Sequence, residues 1–163
     1  MAENVRLFTA RKITPNTWVI TGVGCETYLL LGDEMAMLID SGMSPLDLKS
    51  FCRTLTDLPF AGVINTHGHF DHTGGNGWFK KAYMHPLAIP EAKRPFDGDL
   101  AKWKLDYEIE AVEEGRILDL GNRRLENLPH PEIEPGSPVL QADSLPSEPP
   151  GKPVHCSVCI HKT

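Results

Sequence analysis

Three imidazoles and one carboxylate fall within six consecutive positions, as His67, His69, Asp71 and His72. They sit in the stretch Thr66-His67-Gly68-His69-Phe70-Asp71-His72-Thr73-Gly74-Gly75-Asn76, and the chain has only seven histidines in all. Ring nitrogen and carboxylate oxygen suit zinc, and imidazole also suits iron. The preceding run, Ala61-Gly62-Val63-Ile64-Asn65, is short and apolar and reads as a buried strand. The donor block therefore begins where a strand ends and enters a glycine-rich loop. On a regular strand His67, His69 and Asp71 would share one face and His72 would take the other. A tight turn at Gly74-Gly75 would relax that constraint and let the side chains converge on one point or on two adjacent ones.

The elements that must position this block are legible around it. Val5 to Phe8, Thr17 to Thr21, Tyr28 to Leu31 and Met35 to Asp40 read as short strands, separated by Pro15-Asn16, Gly22-Val23-Gly24 and Gly32-Asp33. Gly32-Asp33 followed by Glu34 suggests a hairpin. Ser44-Pro45 reads as the opening of a helix, with Ser44 as N-cap and an apolar face of Leu46, Leu48, Phe51, Cys52 and Leu55. Tyr83-Met84-His85 suggests a strand, Leu100 to Glu114 a charged amphipathic helix, and Ile117 to Leu120 another strand. Strands feeding helices that feed strands imply an α/β sandwich. His85 and His130, each followed by proline, read as surface or turn residues.

The spacing His-x-His-x-Asp-His after an apolar strand resembles the metallo-β-lactamase superfamily. The resemblance extends to Trp18-Val19-Ile20, to Thr27-Tyr28-Leu29-Leu30-Leu31, and to Ala36-Met37-Leu38-Ile39-Asp40-Ser41-Gly42, which is similar to the family's strand followed by Asp-x-Gly. It covers roughly residues 5 to 128. It implies an αββα sandwich, incomplete here: a metallo-β-lactamase-like domain over 1–128 and a proline-rich, irregular tail over 129–163. It implies zinc as cofactor, one or two ions, with iron or manganese as alternatives. His67 and His69 would bind one ion, Asp71 and His72 the second, with a hydroxide between them. Asp40 resembles the family's carboxylate behind the ligands; the plainer reading of Asp-Ser-Gly is a turn at a strand end. The activity implied is zinc-dependent hydrolysis, in which the hydroxide attacks an ester, thioester or amide-type bond of a small-molecule substrate and Asp71 orients it. The block looks most similar to glyoxalase II-like thioester hydrolases.

The family pattern changes after Leu128. Eight of the 14 prolines, at 129, 131, 135, 138, 146, 149, 150 and 153, fall in this stretch, and proline breaks both regular structures. Laid on the family, the next histidine ligand would fall at Ile133, which has no lone pair. The bridging aspartate would fall near Gly151-Lys152, and the last histidine beyond Thr163. Two ligands per ion is below the three that catalytic zinc usually takes. The alternative function is therefore an inactive, truncated or frameshifted fragment that binds metal weakly or acts only with a partner. A sheet lacking its partner layer would also invite self-association. His155-Cys156-Ser157-Val158-Cys159-Ile160-His161 offers a Cys-x-x-Cys spacing suited to a zinc clip, but without the second ligand pair of a zinc finger.

Composition narrows the rest. A length of 163 residues suits one domain, and 40% hydrophobic residues is ordinary for a globular chain. A net charge of −6 without a basic cluster gives a nucleic-acid role no electrostatic support. No apolar run approaches a membrane span, and the first residues lack a basic region followed by an apolar stretch. Four cysteines without a secretion signal do not suggest a disulfide framework. The cytoplasm is the expected location.

Overall fold

A computed structural model describes residues 8–95, 103 and 105–127, and the backbone of 158–162. Its main body is a seven-stranded sheet in chain order: β1 (Thr9–Thr14), β2 (Thr17–Thr21), β3 (Glu26–Leu31), β4 (Ala36–Ile39), β5 (Phe60–Ile64), β6 (Lys81–Met84) and β7 (Glu108–Ala111). The first four strands form an antiparallel meander, and β4 to β7 run parallel. Parallel neighbours need crossovers. These carry the short helices α1 (Leu48–Arg53), α2 (Phe70–Thr73) and α3 (Ile89–Ala92).

Alternation along the strands sorts the apolar residues onto two faces. Leu29, Leu38 and Val63 join Leu48 and Cys52 of α1, with Phe8 and Phe79, in one core. Leu30, Met37, Ile64 and Tyr83 face the other way and meet Val112, Leu120 and Leu125. Val112 follows β7, whereas Leu120 and Leu125 adjoin or belong to a second, three-stranded sheet of β8 (Ile117–Asp119), β9 (Arg123–Asn127) and β10 (Val158–Lys162), all antiparallel. The inner face of the main sheet is therefore not bare, which corrects the expectation of about one sheet. Arg123, buried, clamps the two layers. Its guanidinium donates to the carbonyls of Asn16 and Leu31 and, at 2.8 Å, to Thr17 Oγ1, and burial pushes its pKa down.

Several local expectations are corrected. The strand expected over residues 5–8 lies mostly outside the described residues; the strand before Pro15 runs instead over Thr9–Thr14. Ser44 does not cap a helix: its Oγ accepts from Leu46 N, and α1 begins at Leu48 with Asp47 as N-cap, whose carboxylate accepts from Ser50 N at 2.9 Å. The helix expected over 100–114 is overruled by pairing. Residues 108–111 are a strand on the edge of the sheet, since Ile109 and Ala111 match Ala82 and Met84 of β6 in register. Residues 158–162 fall in the segment expected to be irregular yet form β10. Val158-Cys159-Ile160 is proline-free and partly β-branched, which suits a strand. Residues 128–157 lie outside the described residues.

The β3–β4 turn, Gly32 to Met35, is where the sheets dock. Asp33 N donates to Gly121 O at 2.8 Å and Glu34 N to Leu120 O at 3.0 Å. A Cβ on Gly32 would overlap the Leu120 carbonyl. Gly32→Ala is accordingly expected to destabilise by about 1–3 kcal/mol, read as a lower urea midpoint at unchanged slope; an unchanged midpoint would show that the turn gives way freely.

Between β6 and β7, Glu110 lies 2.7 Å from Lys81 Nζ and 3.2 Å from Arg116 Nη2. The hydrogen bond from Lys81 holds the Glu110 carboxyl below its usual pKa. A depressed folded pKa stabilises above the unfolded carboxylate range, and that stability is lost as pH falls through the folded value. Both side chains are partly exposed, so the pair contributes about 0.2–1 kcal/mol. Glu110→Gln should flatten the acid limb of a stability–pH curve by that amount, and the fall through the lysine range as well, since the hydrogen bond to Glu110 raises the Lys81 pKa and that stability is lost as pH rises through the folded value.

Candidate metal centre

The parallel strands β4 and β5 end side by side, and the residues that follow them make the site. This is the carboxyl edge of the parallel part of the sheet, where open α/β folds place their ligands. Asp40 follows β4 and Asn65 follows β5, joined by Asp40 N donating to Ile64 O at 2.9 Å. Asp40 has a φ of 56°. Aspartate is among the few non-glycine residues that tolerate this left-handed conformation, and it turns the carboxylate toward the β5–α2 loop.

That carboxylate organises the loop. Asp40 Oδ1 accepts from Thr66 N at 2.9 Å, and Oδ2 from Thr66 Oγ1 at 2.8 Å. Oδ2 also lies 2.8 Å from His72 Nδ1. A carboxylate only accepts, so His72 carries its proton on Nδ1 and presents a lone pair at Nε2. The same argument reaches His67. Thr66 Oγ1 gives its hydrogen to Asp40 and so accepts from His67 Nδ1, 3.0 Å away. His67 Nε2 is then also a lone-pair donor. These tautomers follow from the hydrogen-bond network.

A single helical turn brings the block together. His69 is the N-cap of α2 in extended conformation, and its carbonyl accepts from His72 N at 3.0 Å and Thr73 N at 3.1 Å. The strand-face separation of His72 is lifted by this turn, which starts at Phe70, and not by a turn at Gly74-Gly75. Both glycines are helical in conformation. Close approach explains them instead: a Cβ on Gly75 would lie 2.5 Å from Ser41 O, and one on Gly74 3.0 Å from Gly42 O.

One donor atom each from His67, His69 and Asp71 lie within 4.8 Å of one another. The His67 ring lies 4.7 Å from that of His69 and 3.9 Å from that of His72, centre to centre. His72 Nε2 is 3.6 Å from Asp71 Oδ2. The sequence-based pairing set Asp71 with His72 and apart from His67 and His69; the structure also gathers Asp71 with those two. A ring-nitrogen lone pair facing a carboxylate oxygen needs a proton or a metal ion between them. Two nitrogens and one oxygen, one position short of tetrahedral, match the donor set of a catalytic zinc site. The residues present fit the ion.

The support behind this set was only partly legible beforehand. The His72 carbonyl accepts from Ser41 N at 2.8 Å and Asn65 Nδ2 at 3.0 Å, and Asn76 Nδ2 donates to Asn65 Oδ1 at 2.8 Å. Thr66 and Asn76 flank the donor block in sequence. Ser41 and Asn65 gave no signal beyond lying at strand ends. Tyr107 gave none: burial pushes its phenol above the usual pKa, against hydrogen bonds to Asn76 and Thr73 that pull it down. Asp40 takes the part of the carboxylate behind the ligands as well as that of a strand-end turn. His85 caps a single 3-10 turn, its Nδ1 accepting from Leu87 N at 3.2 Å. His130, His155 and Cys156 lie outside the described residues, as do the side chains of Cys159 and His161.

Fold and site together define a class. The chain belongs to the metallo-β-lactamase superfamily, whose sequence profile matches residues 20–161; the matched span runs past Leu128 into the proline-rich segment. Among solved structures, a metallo-β-lactamase from Cronobacter sakazakii with a HARLDQ motif is 18% identical with a TM-score of 0.57, covering 74% of this chain and 54% of that one. A metallo-β-lactamase from Pontibacter korlensis is 19% identical with a TM-score of 0.59, covering 74% and 59%. A subclass B3 metallo-β-lactamase of Bradyrhizobium japonicum is 22% identical with a TM-score of 0.58, covering 78% and 53%. At these identities the likeness is one of fold. The chain spans little more than half the length of these neighbours. No curated protein sequence matches it significantly. Among the described residues, no helix is long and apolar enough to cross a membrane.

Proposed function

We propose that the protein is a metal-dependent hydrolase of small molecules, using zinc at His67, His69 and Asp71 with His72 beside them. The observation that carries this reading is the convergence of three donor atoms within 4.8 Å at the carboxyl edge of the sheet. A zinc ion bound there supplies Lewis acidity, which polarises a carbonyl and makes water a nucleophile near neutral pH. The chain's own contribution is orientation. Asp40 holds His72 and Thr66 holds His67, each through Nδ1, so both rings are fixed in the tautomer that donates from Nε2. The Asp71 side chain is 35% exposed, so it reaches solvent and substrate while touching His72. In this reading it orients the attacking water. The bond attacked is an ester, thioester or amide, with thioesters favoured by the similarity of the block to glyoxalase II-like enzymes.

A second reading, metal binding without turnover, is favoured by one fact. Every candidate donor among the described residues comes from positions 25 to 72, while the matched part of the chain covers little more than half of each neighbour. In that reading the centre works only when a partner completes it. Metal analysis of the purified chain, with rates on a generic thioester, an ester and a β-lactam before and after chelation, separates the two. Bound zinc with chelator-sensitive hydrolysis supports the enzyme. Bound zinc with no turnover on any of the three supports the second reading, and absence of metal overturns both.

A further inference from the structure

The helix that carries Asp71 and His72 is too short to hold itself. α2 runs only from Phe70 to Thr73, and a helix of that length is kept by its packing rather than by its own hydrogen bonds. From the strand ends, Ser41 N and Asn65 Nδ2 hold the His72 carbonyl. A second grip comes from much later in the chain, from residues that lead into β7. The Trp103 ring lies 4.9 Å from that of Phe70, centre to centre, with 64° between the planes, the edge-on arrangement that aromatic pairs favour. The same indole rests on Gly74, where a Cβ would lie 3.2 Å from Trp103 Cζ3. Phe70 and Gly74, four positions apart, share one side of the helix. One indole therefore spans α2 from its first residue to its C-cap.

Tyr107 adds a polar hold, through hydrogen bonds to Thr73 and Asn76. Thr73 Oγ1 donates to the His69 carbonyl at 3.1 Å, which also accepts from His72 N and Thr73 N. With its hydrogen directed at His69, the Thr73 hydroxyl accepts from Tyr107. A chain of hydrogen bonds thus runs from Tyr107 to the backbone of a donor residue. The sheet fixes the other end. Tyr107 directly precedes β7, whose Glu108 N donates to Lys80 O at 2.9 Å.

We propose that Trp103, seconded by Tyr107, is a positioning residue that sets the orientation of α2 and so aims Asp71 and His72 at the ion. The inference rests on the metal-centre reading above. Neither residue is itself a ligand. Their effect passes through the helix: a rotation of α2 moves Asp71 and His72 together, while His67 precedes the helix and stays with the end of β5. Ligand sets work only when held to within about 0.5 Å of the productive geometry, and a one-turn helix pinned from one side alone would not meet that tolerance.

The test uses the full chain with Trp103→Leu, which stays apolar but removes the indole, and Trp103→Phe, which restores a ring. Zinc affinity is read by competition with a chromophoric chelator. The visible bands of bound cobalt(II) report the geometry of the ligands. Gly32→Ala is the control, because it costs stability at the β3–β4 turn and not at α2. With every variant shown by circular dichroism to be folded, Trp103→Leu should lower zinc affinity by about tenfold or more and alter the cobalt bands. Trp103→Phe should recover most of the affinity, and Gly32→Ala should keep the affinity and spectrum of the parent chain. Should Trp103→Leu not fold, Tyr107→Phe decides in its place: it removes only a hydroxyl, and weaker zinc binding supports the inference while unchanged binding overturns it. A Trp103→Leu chain that is less stable yet binds zinc as tightly, with the same cobalt spectrum, overturns the inference and leaves the metal-centre reading standing. An equal loss of affinity in Gly32→Ala does the same. No zinc bound by the parent chain overturns both.

Discussion

Replacing Asp40 with alanine is expected to remove about 3 kcal/mol of stability or more, because three donors lose their acceptor. The carboxylate is the acceptor for Thr66 N, Thr66 Oγ1 and His72 Nδ1, and its side chain is 6% exposed. Each buried donor left without a partner costs about 1–3 kcal/mol. Alanine at a φ of 56° would add about 1–2 kcal/mol of backbone strain. Against a typical total of about 5–15 kcal/mol, the variant should be marginal or unfolded in a urea titration. Asp40→Asn isolates the chemistry. Asparagine tolerates the left-handed conformation and fills the same space, so the fold should survive. Its amide oxygen and nitrogen cannot both accept, so either Thr66 or His72 loses its acceptor. If His72 faces the amide nitrogen, its proton moves to Nε2 and the lone pair there is lost. Zinc affinity should then fall about 10–100-fold, measured by competition with a chromophoric chelator. Unchanged affinity in Asp40→Asn would show that Asp40 only ends a strand.

Asp71→Ala should do the reverse: little change in stability and loss of function. The side chain is partly exposed and sits in the first turn of α2. Removing it costs about 0.3–1 kcal/mol of interaction with the helix N-terminus, which would scarcely move the unfolding midpoint. It takes away one of three converging donors and the carboxylate facing His72 Nε2. Hydrolysis, under the proposed reading, should drop by about 10³-fold or more, and bound zinc should fall with it. The informative split is between the two readouts. Zinc lost with rate means that Asp71 holds the ion. Zinc retained with rate lost means that its part is to orient water. Full activity with full zinc would remove Asp71 from the centre.

Much of the scaffold was legible in sequence because its signals are local. The apolar runs of β2 to β6, broken by Pro15-Asn16 and Gly32-Asp33, state their own period and ends. The donor block is equally local, four ligand types in six positions after a strand. Where local signals compete, sequence misleads. Glu108 to Ala111 sits within a stretch of helical spacing, yet pairing with β6 decides its state. Val158 to Lys162 lies beyond a run of prolines, yet pairs with β9.

The sequence by itself determined which atoms could bind a metal and that they follow a buried strand, because side-chain identity and hydrophobic period are properties of neighbours along the chain. Only the tertiary structure decided how those atoms are grouped. A single helical turn after His69 puts Asp71 beside both His67 and His72. Asp40, 32 residues before His72, selects the ring's tautomer because β4 and β5 are parallel and end together. Cys25 meets Asp40 and His72 through the same adjacency of strand ends. Contacts of this kind depend on which strands pair and in what register, and pairing is settled by the burial of two whole sheet faces rather than by any one segment.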